Sequence, residues 1–270
     1  MNKLKNVTSL FLFLFSVAVS AAGDSVADKL DNRAEKGDAT ALAKLKTGAE
    51  SGDADYEKAY GDFFYEKKDY RRSVVWYRKS ALQGDNIGQV RLASMYEDAL
   101  GVPKDIGQAM VWYRKAADQG DALGQDALGG AYYRGINGKK DIAQSMFWFR
   151  KAADQGDGDG AADLGRAYAD LKDNVNAFIW LTKGADRGSE SAQEELGYMY
   201  SVGINGVVHK NEVIAYALYD LSNNADDIAN ADWYLTKAQI KTAKALEQRM
   251  SKIGVSAAID EYLKSIHKTK

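Results

Sequence analysis

The chain has 270 residues, of which 46% are hydrophobic and 27% charged, with no cysteine and a formal net charge of −2. That balance excludes a disordered chain, and the missing cysteines exclude disulfides and a lipid attached through a thiol. A weakly acidic surface without a basic run repels nucleic acid and anionic lipid, so neither is expected as a partner.

Residues 1–22 stand apart. Lys3 and Lys5 precede the apolar run LFLFLFSVAV from Leu10 to Val19, which ends in the small residues SAAG. This is the layout of a secretory signal peptide removed on export. The run is shorter than the roughly 20 residues that span a bilayer, and no second apolar run follows it. The mature chain is therefore expected in the periplasm, neither inserted in the membrane nor a lipoprotein.

Residues 23–53 are expected to form N-terminal capping helices. Gly37-Asp38 and Gly52-Asp53 punctuate them, and they hold no Trp.

Residues 54–226 repeat a pattern about five times. WYRKAADQGD at 112–121 returns as WFRKAADQGD at 148–157, with looser copies from Trp76 and Trp180. The second half of each unit reads Asp69/Ser73/Trp76, Asp105/Ala109/Trp112, Asp141/Ser145/Trp148 and Asp173/Ala177/Trp180, then a degenerate Asn211/Ala215/Leu218. The first half reads Leu-Gly-x-x-Tyr or a relative, and its aromatic anchors Phe64, Tyr96, Tyr132, Tyr168 and Tyr200 step by 32, 36, 36 and 32. Such a period predicts an all-α right-handed solenoid, a superhelix of antiparallel helix pairs. Anchors spaced by three and four, such as Ala109, Trp112, Tyr113 and Ala116, fall on one buried helical stripe.

Glycine before aspartate, as in Gly84-Asp85, Gly120-Asp121 and Gly156-Asp157, is expected to end one helix and cap the next. Asp105 and Asp141 are expected to cap second helices in a capping box with Gln108 and Gln144. Residues 227–270 are expected as C-terminal capping helices and tail. Ala238, Thr242 and Ala245, with Ile240, Leu246 and Met250, mark one helix, and residues 257–266 a second.

The phrase LGxxY, a glycine-containing loop, then DxxxAxxWYRKAADQGD resembles the Sel1-like repeat family, a relative of the tetratricopeptide repeats. The resemblance implies a superhelix that serves as an adaptor for other proteins. Some exported members are disulfide-rich and linked to β-lactam binding, and a chain without cysteine does not resemble that subgroup. The tetratricopeptide relationship also implies a concave face lined by the first helix of each pair. Its candidate partner-binding residues are Asp62, Tyr65, Glu97, Asp126, Tyr133, Arg166, Glu194 and Tyr198, at places that vary between repeats.

Chemistry is sparse. His209 and His267 lack companions at metal-ligand spacing, and no nucleophile or phosphate-binding motif occurs. Asp154, Asp157, Asp159 and Asp163 could gather calcium, but their order fails the EF-hand loop and capping already accounts for Asp157. The Trp series reads as core rather than as a stacking platform. No catalytic, cofactor or metal residue is expected, and the chain is not expected to be an enzyme.

The resemblance leads to a protein partner. The first expectation is an immunity protein that neutralises a toxic secreted effector, such as a type VI secretion phospholipase. The alternative is an envelope adaptor binding a sensor or secretion component. An enzyme or small-ligand binder is the third.

Overall fold

Side chains at the helix starts divide the chain. Gly37, Gly52, Gly84, Gly120 and Gly156 take φ of +84° to +98°, a region in which a Cβ is strained. The aspartate after each accepts hydrogen bonds from backbone N–H groups of the helix it opens. One residue ends a helix and the next satisfies the free donors of its successor. Gly188 and Ser189 repeat the device.

The computed structural model describes residues 25–136, 138–223, 228 and 235–268. Among them are fourteen helices: α1 Val26–Glu35, α2 Ala39–Glu50, α3 Ala54–Glu66, α4 Tyr70–Leu82, α5 Asn86–Asp98, α6 Ile106–Asp118, α7 Ala122–Arg134, α8 Ile142–Asp154, α9 Gly158–Asp170, α10 Asn174–Asp186, α11 Glu190–Val202, α12 Glu212–Leu221, α13 Lys237–Ile253 and α14 Val255–Lys268. The only extended pairing among the described residues is an isolated bridge between Ile204 and Val208. The leader expected over residues 1–22 lies outside the described residues. No described helix is long and apolar enough to cross a membrane.

Helices α3 to α11 are each 13 residues long. The alternation of 32 and 36 therefore lies in the turn inside each pair. The short turns at 67–69 and 171–173 close on Lys68 and Lys172 at φ +58° and +65°, whereas the turns at 99–105 and 135–141 reverse through Ala99, Gly101 and Gly135.

Two compact units divide the chain, Met1–Gln119 and Gly120–Lys270. In the first, α1 packs on α2 and α3, and each helix from α2 to α6 packs on its sequence neighbour. In the second the succession continues from α7 to α14, with α9 also touching α7 and α11, and α14 returning to α10.

The packing rule within a pair is an aromatic or leucine laid on a glycine. A Cβ on Gly61 would stand 2.6 Å from the Tyr77 ring, one on Gly129 2.6 Å from Phe149, one on Gly165 2.8 Å from Leu181 and one on Gly197 2.8 Å from Tyr219. Glycine is needed here for close approach rather than for its dihedral freedom. Leu128, Leu164 and Leu196 fill the core beside these contacts, and Leu92 is buried beside Ala93, which takes the place of the glycine in its unit. The residue after each Trp is thus the deepest anchor, since Tyr77, Tyr113 and Phe149 are among the largest fully buried side chains.

Three expectations need correction. Trp112, Trp148 and Trp180 are buried as expected, but Trp76 is only half-buried: its ring packs on Tyr60 at 5.1 Å, with the Lys79 ammonium 3.8 Å from its centroid. Asp105 and Asp141 do accept from the backbone of Gln108 and Gln144 at 2.9 Å, but reciprocal capping boxes form at Ser25–Asp28 and Thr236–Gln239. In α13 the buried stripe is Ala243, Leu246 and Met250, with Ile240 half-buried, while Ala238, Thr242 and Ala245 face outward. Small residues give no sign of which side they take until the larger ones three and four away are placed.

Candidate protein-binding faces on the first helices

In the first unit the first helices are α1, α3 and α5, and charged side chains link them. The buried Lys58 of α3 pairs with Asp28 of α1 and reaches Asp62 at 4.0 Å. Asp62 also meets Arg91 of α5 at 3.3 Å and accepts the Tyr77 hydroxyl at 2.6 Å. Burial pushes the Asp28 carboxyl up, but its bond and charge contact with Lys58 hold it below the usual range. Asp31 has no such partner. It is 9% exposed, its Oδ1 has no hydrogen bond, and burial, with Asp62 and Glu35 nearby, pushes its pKa up to about 8.

The candidates of this unit are therefore engaged within the chain. Asp62 is the hinge of an ion-pair relay. Glu97 accepts the Tyr113 hydroxyl at 2.9 Å, which also meets Ser94 at 2.9 Å. Tyr65 is half-buried, its ring edge-on to Tyr70 at 5.4 Å.

In the second unit α7, α9 and α11 form a corresponding strip. Arg166 of α9 pairs with Asp163 and reaches Glu195 of α11 at 3.5 Å. Tyr133 of α7 donates its hydroxyl to Asp170 at 2.6 Å, and Lys140 holds the same carboxylate at 2.6 Å. The Lys140 ammonium also stands 3.5 Å from the Tyr133 ring centroid. Asp163 holds the Arg166 guanidinium well above its ordinary pKa, and burial with the Asp170 bond raises Tyr133. Glu194 is half-buried and Tyr198 exposed on α11.

Asp126 of α7 differs from its neighbours. Its Oδ1 is closed off from solvent and has no hydrogen-bond partner. Burial and the charges of Asp163, Asp157 and Asp159 raise its carboxyl well above the ordinary range, against the pull of Arg134.

Of the weighed metal cluster, Asp157 caps α9, Asp159 accepts the Ser189 hydroxyl at 2.6 Å and Asp163 is taken by Arg166. Among the described residues no group of three or more His, Cys, Asp or Glu is placed to hold a metal ion. His209 is exposed in the turn before α12.

Two recurring features of the second helices escaped sequence reasoning. Val75, Val111, Phe147 and Ile179, each directly before a Trp, are 51%, 46%, 50% and 42% exposed, although an apolar residue beside core aromatics reads as core. Lys79, Lys115, Lys151 and Lys183, three residues after each Trp, place their ammonium groups 3.8, 4.1, 4.8 and 3.9 Å from its ring centroid. The signal was the invariant spacing of Lys from Trp, which is one helical turn.

The family model described as Sel1 repeat matches residues 45–85, 87–121, 122–157, 159–189 and 190–227. Among solved structures, the chain is similar to a Sel1 repeat protein from Oxalobacter formigenes, with 26% identity, a TM-score of 0.62, and coverage of 80% of this chain and 93% of that one. It is also similar to a protective antigen of uropathogenic Escherichia coli displaying an SLR fold, with 25% identity, a TM-score of 0.40, and coverage of 83% and 66%. An immunity protein from Pseudomonas aeruginosa matches with 20% identity, a TM-score of 0.47, and coverage of 74% and 83%. The last two superpose too loosely to add to the argument. A search of curated proteins finds no match. With five successive matches covering most of the sequence, and helix pairs built on the repeating glycine–aromatic contact, the chain belongs to the Sel1 repeat family.

Proposed function

We propose that this protein is a non-catalytic protein-binding module of a Gram-negative periplasm, exported by its leader, and that it acts as an immunity protein. Its partner is a toxic effector such as a type VI secretion phospholipase, held in a stoichiometric complex. One observation supports protein binding above the rest. Packing places recur from unit to unit, whereas the place directly after the glycine or its equivalent holds Asp62, Ser94, Gly130, Arg166 and Tyr198 in turn. The place four residues after it holds Tyr65, Glu97, Tyr133, Ala169 and Ser201. Asp62, Glu97, Tyr133 and Arg166 are engaged by neighbours within the chain, so Tyr198, exposed on α11, is the side chain best placed to meet a partner, and Tyr is a residue type that anchors interfaces.

The test is affinity capture with the tagged, leader-free protein from its own envelope extract, followed by mass spectrometry and toxicity rescue. Capture of a lipase or other toxin in comparable amount, with relief of its toxicity on co-expression, supports immunity. Recovery of resident envelope machinery instead replaces that reading with an envelope adaptor.

A further inference from the structure

The outer face of α4 departs from those of the other second helices. At 3.6 residues per turn, Arg71, Arg72, Val75, Arg78, Lys79 and Leu82 fall on about a third of its circumference, and all six are exposed. The helix carries no acid. In α6, α8 and α10 the places of Arg71 and Arg72 hold no charged residue, and the place of Leu82 holds Asp118, Asp154 and Asp186 in turn. Those helices pack in the same way without two cations and a leucine there, so packing does not ask for them in α4.

Leu82 is 69% exposed and Val75 51%, and the Trp76 ring next to Val75 is half-exposed as well. One exposed leucine is ordinary. Here two apolar side chains lie two helical turns apart with cations on both sides, which is the layout of a helix-pairing seam. The cations are held in place without being neutralised. Arg72 pairs with the cap Asp69 and lies 4.3 Å from the Phe64 ring centroid, yet its side chain stays 64% exposed. Arg78 donates to the Tyr96 hydroxyl at 2.8 Å, and Lys79 lies over Trp76. Glu57, which feels the Lys79 charge, accepts the Gln83 amide at 2.6 Å. Four cations against Asp69 and Glu57 leave this face with a positive excess.

We infer that the outer face of α4 receives an acidic amphipathic helix of a protein partner, with apolar residues two turns apart on Val75 and Leu82 and carboxylates on Arg71, Arg72, Arg78 and Lys79. Such a contact rests on the protein-binding reading above and adds a surface on a different element from Tyr198. Opposite charges flanking an apolar seam select the partner and its register, and they repel a like-charged helix. Arginine, with its fork of donors, suits carboxylates in particular. Two apolar side chains in one line match the stripe of a helix, whereas lying in a bilayer surface calls for a broad apolar face along the whole element.

The experiment titrates the full mature chain with a capped helical peptide that repeats leucine at heptad spacing with glutamates on either side. One counterpart has lysine for glutamate, another serine for leucine. NMR should show the glutamate peptide moving the amides of α4, with binding that weakens as salt rises. Arg72→Gln/Leu82→Asp gives α4 the residues that α6 holds at Gln108 and Asp118, so the fold accommodates them, and a matching thermal melt checks this. That double variant should bind about tenfold more weakly, while Lys241→Gln on α13 should change nothing. Equal binding of either counterpart, shifts confined to helices other than α4, or full affinity in the double variant overturns the inference. So does displacement of the peptide by phosphatidylglycerol vesicles that hold α4 more tightly, which assigns the face to a membrane. A double variant that captures the same envelope protein as the wild type with undiminished affinity overturns it too, while protein binding stands. If no protein is captured at all, the immunity reading falls, and the peptide titration alone decides whether α4 takes an acidic helix.

Discussion

At Gly129 there is no room for a methyl group, because the Phe149 ring already occupies the place 2.6 Å from where a Cβ would sit. Gly129→Ala should destabilise the chain by about 1–3 kcal/mol, as overpacked cores do, and Phe149→Ala by about 3–5 kcal/mol through the cavity it opens. Trp112→Ala belongs with the second group. Trp76→Ala should cost visibly less, because its ring is half-exposed and removing it leaves less unfilled space. Urea denaturation of the four variants gives that order, and a Trp76 effect equal to that of Trp112 refutes the ranking. Tyr198, exposed on α11, should show the opposite profile, with Tyr198→Ala leaving the melt within about 0.5 kcal/mol of wild type.

Helix α1 is the element whose attachment should depend on pH. It meets α3 through Asp28 and Lys58, and beside that pair Asp31 is buried with Asp62, Glu35 and Asp28 as acidic neighbours and Lys58 as an opposing cation. An acid whose pKa rises on folding, here from 3.8 to about 8, binds more protons in the native state than in the unfolded chain. The stability it supports is fully present below about pH 4 and is lost as pH climbs through 8. Unfolding midpoints measured from pH 5 to 9 should therefore fall for the wild type and flatten in Asp31→Asn. An unchanged slope in the variant shows that Asp31 is not the group responsible. The half-buried cap Asp173 runs the other way: hydrogen bonds from Asn176 lower its pKa, so its contribution disappears only as pH falls below about 4. The short turns offer a separate test. Lys172 occupies a left-handed conformation that favours glycine, so Lys172→Gly should raise stability by about 0.5–1 kcal/mol.

Across the whole molecule, legibility follows the repeat. Helix starts, left-handed glycines and buried leucines were readable because each recurs at one phase, and a repeated position averages out the accidents of a single one. The depth of Trp76 was not readable: it is an early copy of the repeat, and exposure depends on what packs over it rather than on its own helix. The binding strip was legible as a set of places but not as a set of roles. Sequence shows that Asp62, Glu97, Asp126 and Arg166 vary between units. It does not show that the first two are tied to Tyr77 and Tyr113, that Arg166 also reaches Glu195, or that the third has an oxygen without a donor, because those partners lie 15 or more residues away or in another helix pair. The exposed apolar residues before each Trp were hidden for a related reason. Periodicity places them next to the core stripe, and only the packed neighbour decides on which side of its edge they fall.

The lysine over each tryptophan carries a spectroscopic consequence. An ammonium group 3.8–4.8 Å from the ring centroids of Trp76, Trp112, Trp148 and Trp180 lies close enough to perturb the excited indole. The chain therefore holds native fluorophores distributed through successive repeats, each beside a group that a docking protein, a neutralising acetylation or a local opening would displace. Emission intensity and wavelength, followed in Lys→Met variants taken one repeat at a time, should report which repeat responds to a bound molecule without any added label.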